Sequence, residues 1–174
     1  SMNYAKWSPK KNDFAFKFVF QNAFEDIIGF AEAMKEHGVK PEMECFDVGH
    51  IGNSYPLIDM GLLEPPYQYS LIMGVLGGVP PTTPNLVRMV EMLPPQADWE
   101  LIGIGLEQWR LVAAAIGLGG NVRVGLEDNF YLSKGEMAES NGDLVEKAAR
   151  MIRDQGREVA TVEDTRKLLW PEGG

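Results

Sequence analysis

The chain has 174 residues, 45% of them hydrophobic, and 25 acidic against 16 basic side chains leave a formal net charge of −9. That balance disfavours nucleic acid or an anionic membrane as the main partner, while leaving room for a local basic pocket that takes a phosphate-bearing ligand. One domain spanning residues 1–174 is expected at this length, and Cys45, the single cysteine, excludes an intrachain disulfide framework and a cysteine zinc cage.

Residues 1–13 are polar and read as irregular, and residues 14–20 alternate aromatics with smaller side chains as an extended segment would. Asn22 is placed to cap a helix over about 23–37, with Phe24, Ile27, Ile28, Ala31 and Met34 at helical spacing and Gly38 as its stop. Residues 43–48 read as a buried strand, followed by His50 and a short helix over 51–60. The next strand covers 67–73 and closes on Gly74, Gly77 and Gly78, and Pro84 sits in the first turn of a helix to about Leu93. Residues 99–104 form a third strand, residues 108–116 a helix, and residues 122–127 a fourth strand. Asn141 is placed to cap a helix over 142–155, and Thr161 with Asp164 makes a capping box for a last helix to Leu169.

Strands alternating with helices argue a parallel sheet, in either an open doubly wound fold or a barrel. No nucleotide fingerprint appears, because Gly74, Gly77 and Gly78 lack its spacing and no Walker lysine follows. The barrel is favoured, although four to five units fill only about half of one, a full barrel having eight. No apolar run approaches the roughly 18 residues of a membrane span and no charged-then-apolar leader opens the chain, so a soluble, cytoplasmic protein is expected.

The most informative run is NVRVGLEDN, residues 121–129. As a strand it puts Arg123, Gly125 and Glu127 on one face and Val122, Val124 and Leu126 on the other. A polar inner face ending in adjacent carboxylates suits a barrel strand with chemistry at its mouth, and it equally suits a strand closing in a solvated acidic turn.

With that run, the strings PEMECFDVGHI (41–51), LIMGVLGGVPPTTPNL (71–86), ELIGIGLEQW (100–109) and VATVEDTRKLL (159–169) stand in order through almost the whole chain. Together they resemble the β-keto acid cleavage enzymes, which include the 3-keto-5-aminohexanoate cleavage enzyme. The resemblance implies a TIM (β/α)8 barrel of which this chain covers about the C-terminal half, strands 5–8 with their helices. It implies an enzyme that binds zinc at the barrel mouth and exchanges an acyl group between a β-keto acid and acetyl-CoA, giving acetoacetate and a new acyl-CoA.

Residue by residue, the resemblance makes Glu127 the zinc-ligating glutamate, Asp128 the general base and Arg123 the active-site arginine. Independently of the resemblance, Glu44 faces inward on the strand over 43–48 and is a candidate partner for Arg123 or for the polar end of the substrate. Ser1 resembles a serine that touches substrate, and Gly77 and Gly78 a loop near the coenzyme A entrance with exposed backbone amides. Against these stand plainer readings: a structural ion pair for Arg123, a buried structural acid for Glu44, a tag remnant for Ser1 and an ordinary turn for the glycines. Trp99 and Trp109 read as packing residues, and Trp170-Pro171 resembles a chain end that packs at subunit contacts.

The match begins at the end of the family's fourth strand, so the two histidines that hold zinc beside the glutamate have no counterpart. His37 and His50 form no His-x-His pair, and one glutamate falls short of the three protein ligands of a catalytic zinc. A half-barrel also leaves open sheet edges, so a homo-oligomer or a complementary half-barrel is expected. The rival reading is a catalytically inactive half-barrel that serves as a binding or assembly module.

Overall fold

The computed structural model describes residues 1–170, and Pro171 in the proposed terminal contact lies outside them. The chain opens with an antiparallel hairpin of β1 (Met2–Ser8) and β2 (Asp13–Phe20). Residues 1–13 are therefore not irregular. Tyr4 stacks on Phe16 at 5.2 Å and meets Phe18 edge-on at 5.3 Å, while Trp7 meets Phe14 at 5.3 Å. Those cross-strand aromatic pairs supply a partner that the polar first strand alone does not advertise.

The helix α1 (Phe24–Glu36) follows, and its N-terminus has no side-chain cap; the Asn22 N–H instead donates to Ser1 Oγ at 2.9 Å. Next come β3 (Glu42–Cys45), α2 (Val48–Asp59), β4 (Tyr67–Met73), α3 (Thr83–Glu91), β5 (Ala97–Gly103), α4 (Gln108–Gly117) and β6 (Asn121–Arg123). Asp47 caps α2 by accepting from Gly49 N–H at 3.0 Å, so Val48 leaves the strand and His50 lies inside the helix. The four strands form one parallel sheet in the order β3-β4-β5-β6, with no antiparallel pair among them.

A small hairpin, β7 (Tyr131–Ser133) with β8 (Glu136–Met137), precedes α5 (Asn141–Asp154) and α6 (Val162–Leu169). Ser140, not Asn141, caps α5 in a capping box with Asp143, whereas Thr161 and Asp164 cap α6 as expected. Among the described residues no helix is long and apolar enough to cross a membrane.

The two faces of the parallel sheet differ. On the side covered by helices, Tyr69, Leu71, Met73 and Leu101 pack with Ile51, Leu86, Met89, Leu111, Val112 and Ile116 into the main core. Each fully buried aliphatic side chain there contributes about 1.5–3 kcal/mol relative to exposure. Trp99 and Trp109 pack at the margin of this core, as expected. The registers Glu44↔Ser70, Ser70↔Glu100 and Glu100↔Asn121 place these four residues in one row on the opposite face. By alternation Glu42, Gln68, Asp98 and Arg123 share that polar side.

Candidate active site

The polar face ends in loops gathered at the carboxyl ends of the strands. The fourth strand stops at Arg123, earlier than the expected 127, and the chain turns, with Gly125 O accepting from Asp128 N–H at 3.0 Å and Asn129 N–H at 3.1 Å. Strand alternation therefore does not set the direction of Glu127, which is exposed in the turn. Asp128 is only 8% exposed and its carbonyl accepts from Gly105 N–H at 2.8 Å, which ties the turn to the end of β5.

Two buried polar side chains hold that turn, and neither stands out in the sequence. Asn129 Nδ2 donates to Gln108 Oε1 at 3.2 Å and to Tyr131 O at 2.8 Å, while its Oδ1 accepts from Tyr131 N–H at 3.1 Å. Gln108 Nε2 donates to Gly103 O at 2.8 Å, so the start of α4, the end of β5 and the acidic turn form one network. Asn141 Oδ1, released from a capping role, accepts from Leu126 N–H at 2.8 Å. The only early signals were an amide directly after the acid pair and a glutamine opening a helix.

Arg123 Nη1 lies 3.8 Å from Glu44 Oε1, so the expected pairing of these two residues is made. Burial pushes the Asp128 carboxyl above the usual carboxylate range, and the charges of Glu127 and Glu44 add to that, while the Arg123 guanidinium pulls it back down. A partly desolvated carboxylate beside a guanidinium is suited to accept a proton from an acidic carbon. The structure thus brings Arg123, Glu44, Glu127 and Asp128 into one electrostatic neighbourhood.

Ser1 lines a cavity of about 430 Å³ with Glu42, Glu44 and His50, and Arg123 is not part of that lining. The Ser1 hydroxyl is engaged with the backbone of Asn22, and His50 Nδ1 faces Phe46 N–H at 3.2 Å. Gly77 and Gly78 are wedged between backbones. At Gly77, with φ of +108°, a Cβ would stand 1.7 Å from Asn3 O, and at Gly78 it would stand 2.7 Å from Phe46 O. The Gly78 N–H donates to Val75 O at 3.0 Å, so the expectation of two free amides fails at that position. Among the described residues no group of three or more His, Cys, Asp or Glu is arranged to hold a metal ion, so these residues alone do not fit a catalytic zinc.

The family model for the beta-keto acid cleavage enzyme matches residues 1–170. The chain belongs to that family. It is 40% identical over 151 residues to a 3-keto-5-aminohexanoate cleavage enzyme of Acetoanaerobium sticklandii, covering 87% of this chain and 55% of that protein. It is 37% identical over 152 residues to a 3-dehydrocarnitine:acetyl-CoA trimethylamine transferase of Rhizobium meliloti, covering 87% of this chain and 50% of that protein. The chain thus spans about half the length of the curated relatives it matches. The apo structure of ObcA superposes with a TM-score of 0.69 over 86% of this chain and 40% of that one, at 19% identity, a likeness of fold alone.

Proposed function

We propose that residues 1–174 form one partial domain, the C-terminal half of a (β/α)8 barrel, in which β3 to β6 stand as strands 5–8. In the completed barrel the site exchanges an acyl group between a β-keto acid and acetyl-CoA. Asp128 takes a proton from the carbon between the keto and carboxylate groups. The resulting enolate carbon attacks the thioester carbonyl of acetyl-CoA and coenzyme A leaves as the thiolate. That thiolate then adds to the original keto carbon, and cleavage of the bond to the central carbon expels the acetoacetate enolate and leaves a new acyl-CoA. Protonated Asp128 returns its proton to the central carbon to give acetoacetate.

Arg123 and Glu44 orient the polar groups of the substrate, Ser1 lines the cavity that Glu44 also borders, and the Gly77-Gly78 turn borders the path of coenzyme A. Glu127 is free to offer one oxygen to zinc, and the further ligands that a zinc site needs come from outside the described residues. The buried Asp128 beside Arg123 at the carboxyl end of the sheet carries this reading.

A binding or assembly module is the second reading, favoured by the exposed position of Glu127 and by the absence of a three-ligand group among the described residues. The free edge of β3 and the apolar side chains of α1 that line the adjoining cavity, Phe24, Ile27, Phe30 and Met34, suit a further strand from a complementary half or a second copy under either reading. Co-expression with the part of the Acetoanaerobium sticklandii relative that precedes its matched region separates the two. Under the enzymatic reading the complex retains zinc and releases acetoacetate only when both β-keto acid and acetyl-CoA are supplied. Asp128→Asn removes turnover and keeps the metal. A zinc-loaded complex with no turnover on a panel of β-keto acids would favour the module.

A further inference from the structure

Ser70 lies at the centre of the polar face, fully buried, with its Oγ in contact with a carboxylate oxygen of Glu42 and, at 3.1 Å, with Oε1 of Glu100. A hydroxyl carries one proton, and an ionised carboxylate only accepts. With both acids ionised, Ser70 satisfies one of them and turns a lone pair toward the other at hydrogen-bonding distance. The arrangement becomes complete when one carboxyl carries a proton and donates it to Ser70 Oγ, while Ser70 donates its own to the other.

Glu100 is the better holder of that proton, because it is half-buried whereas Glu42 is exposed to water. Burial, the charge of Glu42 and, more weakly, that of Asp98 push the Glu100 carboxyl upward, against the opposing pull of Ser70 and Arg123. The charged groups facing the pair are Glu42 and Glu44 from β3, Asp98 from the same strand and Arg123 from β6; β4 contributes only Gln68 and Ser70. Arg123 is thus a single cation among several acids. An ionised Glu100 competes for it with Glu44 and Asp128, and a neutral one does not.

We propose that Glu42, Ser70 and Glu100 hold a single shared proton seated on Glu100, and that this proton keeps Arg123 directed to Glu44 and Asp128. Ser70 and Glu100 are then positioning residues. The shared proton stands independently of the proposed reaction, and only the use of Arg123 in catalysis rests on that reading.

The test uses the full chain with isotope-labelled glutamate side chains, each carboxyl carbon being followed by NMR as pH is varied. One glutamate, Glu100, should titrate above the ordinary carboxylate range, apart from the other glutamates. Glu42→Gln removes the neighbouring charge and adds an amide donor for Ser70, so the Glu100 titration should fall back toward the ordinary range. The Arg123 Nε resonance should move in the same variant as the guanidinium shifts toward Glu100. Glu100→Gln, a permanently neutral stand-in, should leave the Arg123 resonance at its wild-type position, which a purely structural role for both acids would not produce. The proposal is overturned if all glutamates of the wild-type chain titrate together in the ordinary range, or if Glu100→Gln displaces Arg123 as much as Glu42→Gln does. It is equally overturned if elemental analysis finds one equivalent of metal that either substitution releases, since a cation and not a proton would then bridge the acids. Turnover in the completed barrel with Asp128→Asn tests the reaction separately.

Discussion

On the helix-covered side of the parallel sheet Leu71, Met73 and Leu101 are sealed from water, whereas on the other side Glu42, Glu44, Asp98 and Arg123 stand partly or largely open to it. The same strands serve both sides, since alternate residues point opposite ways. One side gains stability from apolar burial and tolerates no charge. The other gathers titratable groups whose protonation depends on how far each is desolvated. Stability and chemistry are in this way assigned to opposite faces, and substitutions on the two should behave differently.

The largest effect is expected on the apolar side. Leu101→Ala removes a fully buried side chain from the centre of the core and should cost about 2–5 kcal/mol in urea unfolding, with little change in the slope. A cost below about 1 kcal/mol would mean that this face is loosely packed and would break the comparison. The network under the acidic turn comes next. Asn129→Ala deprives Gln108 and Tyr131 of their partners and should cost about 1–3 kcal/mol. Amide exchange at Gly105, whose N–H is held by Asp128 O, should speed up with it. Unchanged exchange there would show that Asn129 does not hold the turn.

Much of the sheet was legible because the strands expected at 67–73 and 99–104 combine apolar runs with glycine-bearing ends, although β5 spans Ala97–Gly103 and so begins two residues earlier. The parallel order followed from strands alternating with helices. The end of β6 was misread for a specific reason. The alternation Arg123, Gly125, Glu127 continues in the sequence beyond the last residue paired with β5, and the turn is held by Gly105 and Asn141, both distant in the chain. The first hairpin was half legible, since Phe14, Phe16, Phe18 and Phe20 alternate in β2 while Tyr4 and Trp7 are isolated among polar residues in β1. Within the site, the acid pair and Arg123 were legible as residue types. Ser70 was not, because a lone serine in the strand YQYSLIM reveals its two carboxylate neighbours only once the register is known.

A smaller effect distinguishes the faces by pH. Glu100 and Asp98 are both raised above their ordinary values, burial being the largest cause for each. A group with a raised folded pKa binds more protons folded than unfolded between its two pKa values. Its contribution is therefore present at low pH and is lost as pH climbs through the folded value. Stability should fall over the range just above ordinary carboxylate titration, and Glu100→Gln should flatten that fall. Leu101→Ala should lower the whole curve without changing its slope. An unchanged slope in Glu100→Gln would remove Glu100 from the set of raised acids.

The smallest effect is expected at the ion pair between Arg123 and Glu44. Both side chains are substantially open to water, 41% and 49% exposed, and their closest nitrogen–oxygen separation is 3.8 Å. At that exposure the Coulomb attraction is screened, and ordering two flexible side chains offsets much of it, so a pair of this kind is worth about 0.2–1 kcal/mol. A double-mutant cycle with Glu44→Gln and Arg123→Gln should give a coupling in that range, and it should shrink as salt is added. If a complementary half or a second copy closes over the polar face, both groups lose water and the coupling should grow, because a desolvated pair is screened less. A coupling that stays small and salt-sensitive in an assembled complex would mean that the polar face remains open to solvent, and Arg123 would then be too weakly held to orient a substrate.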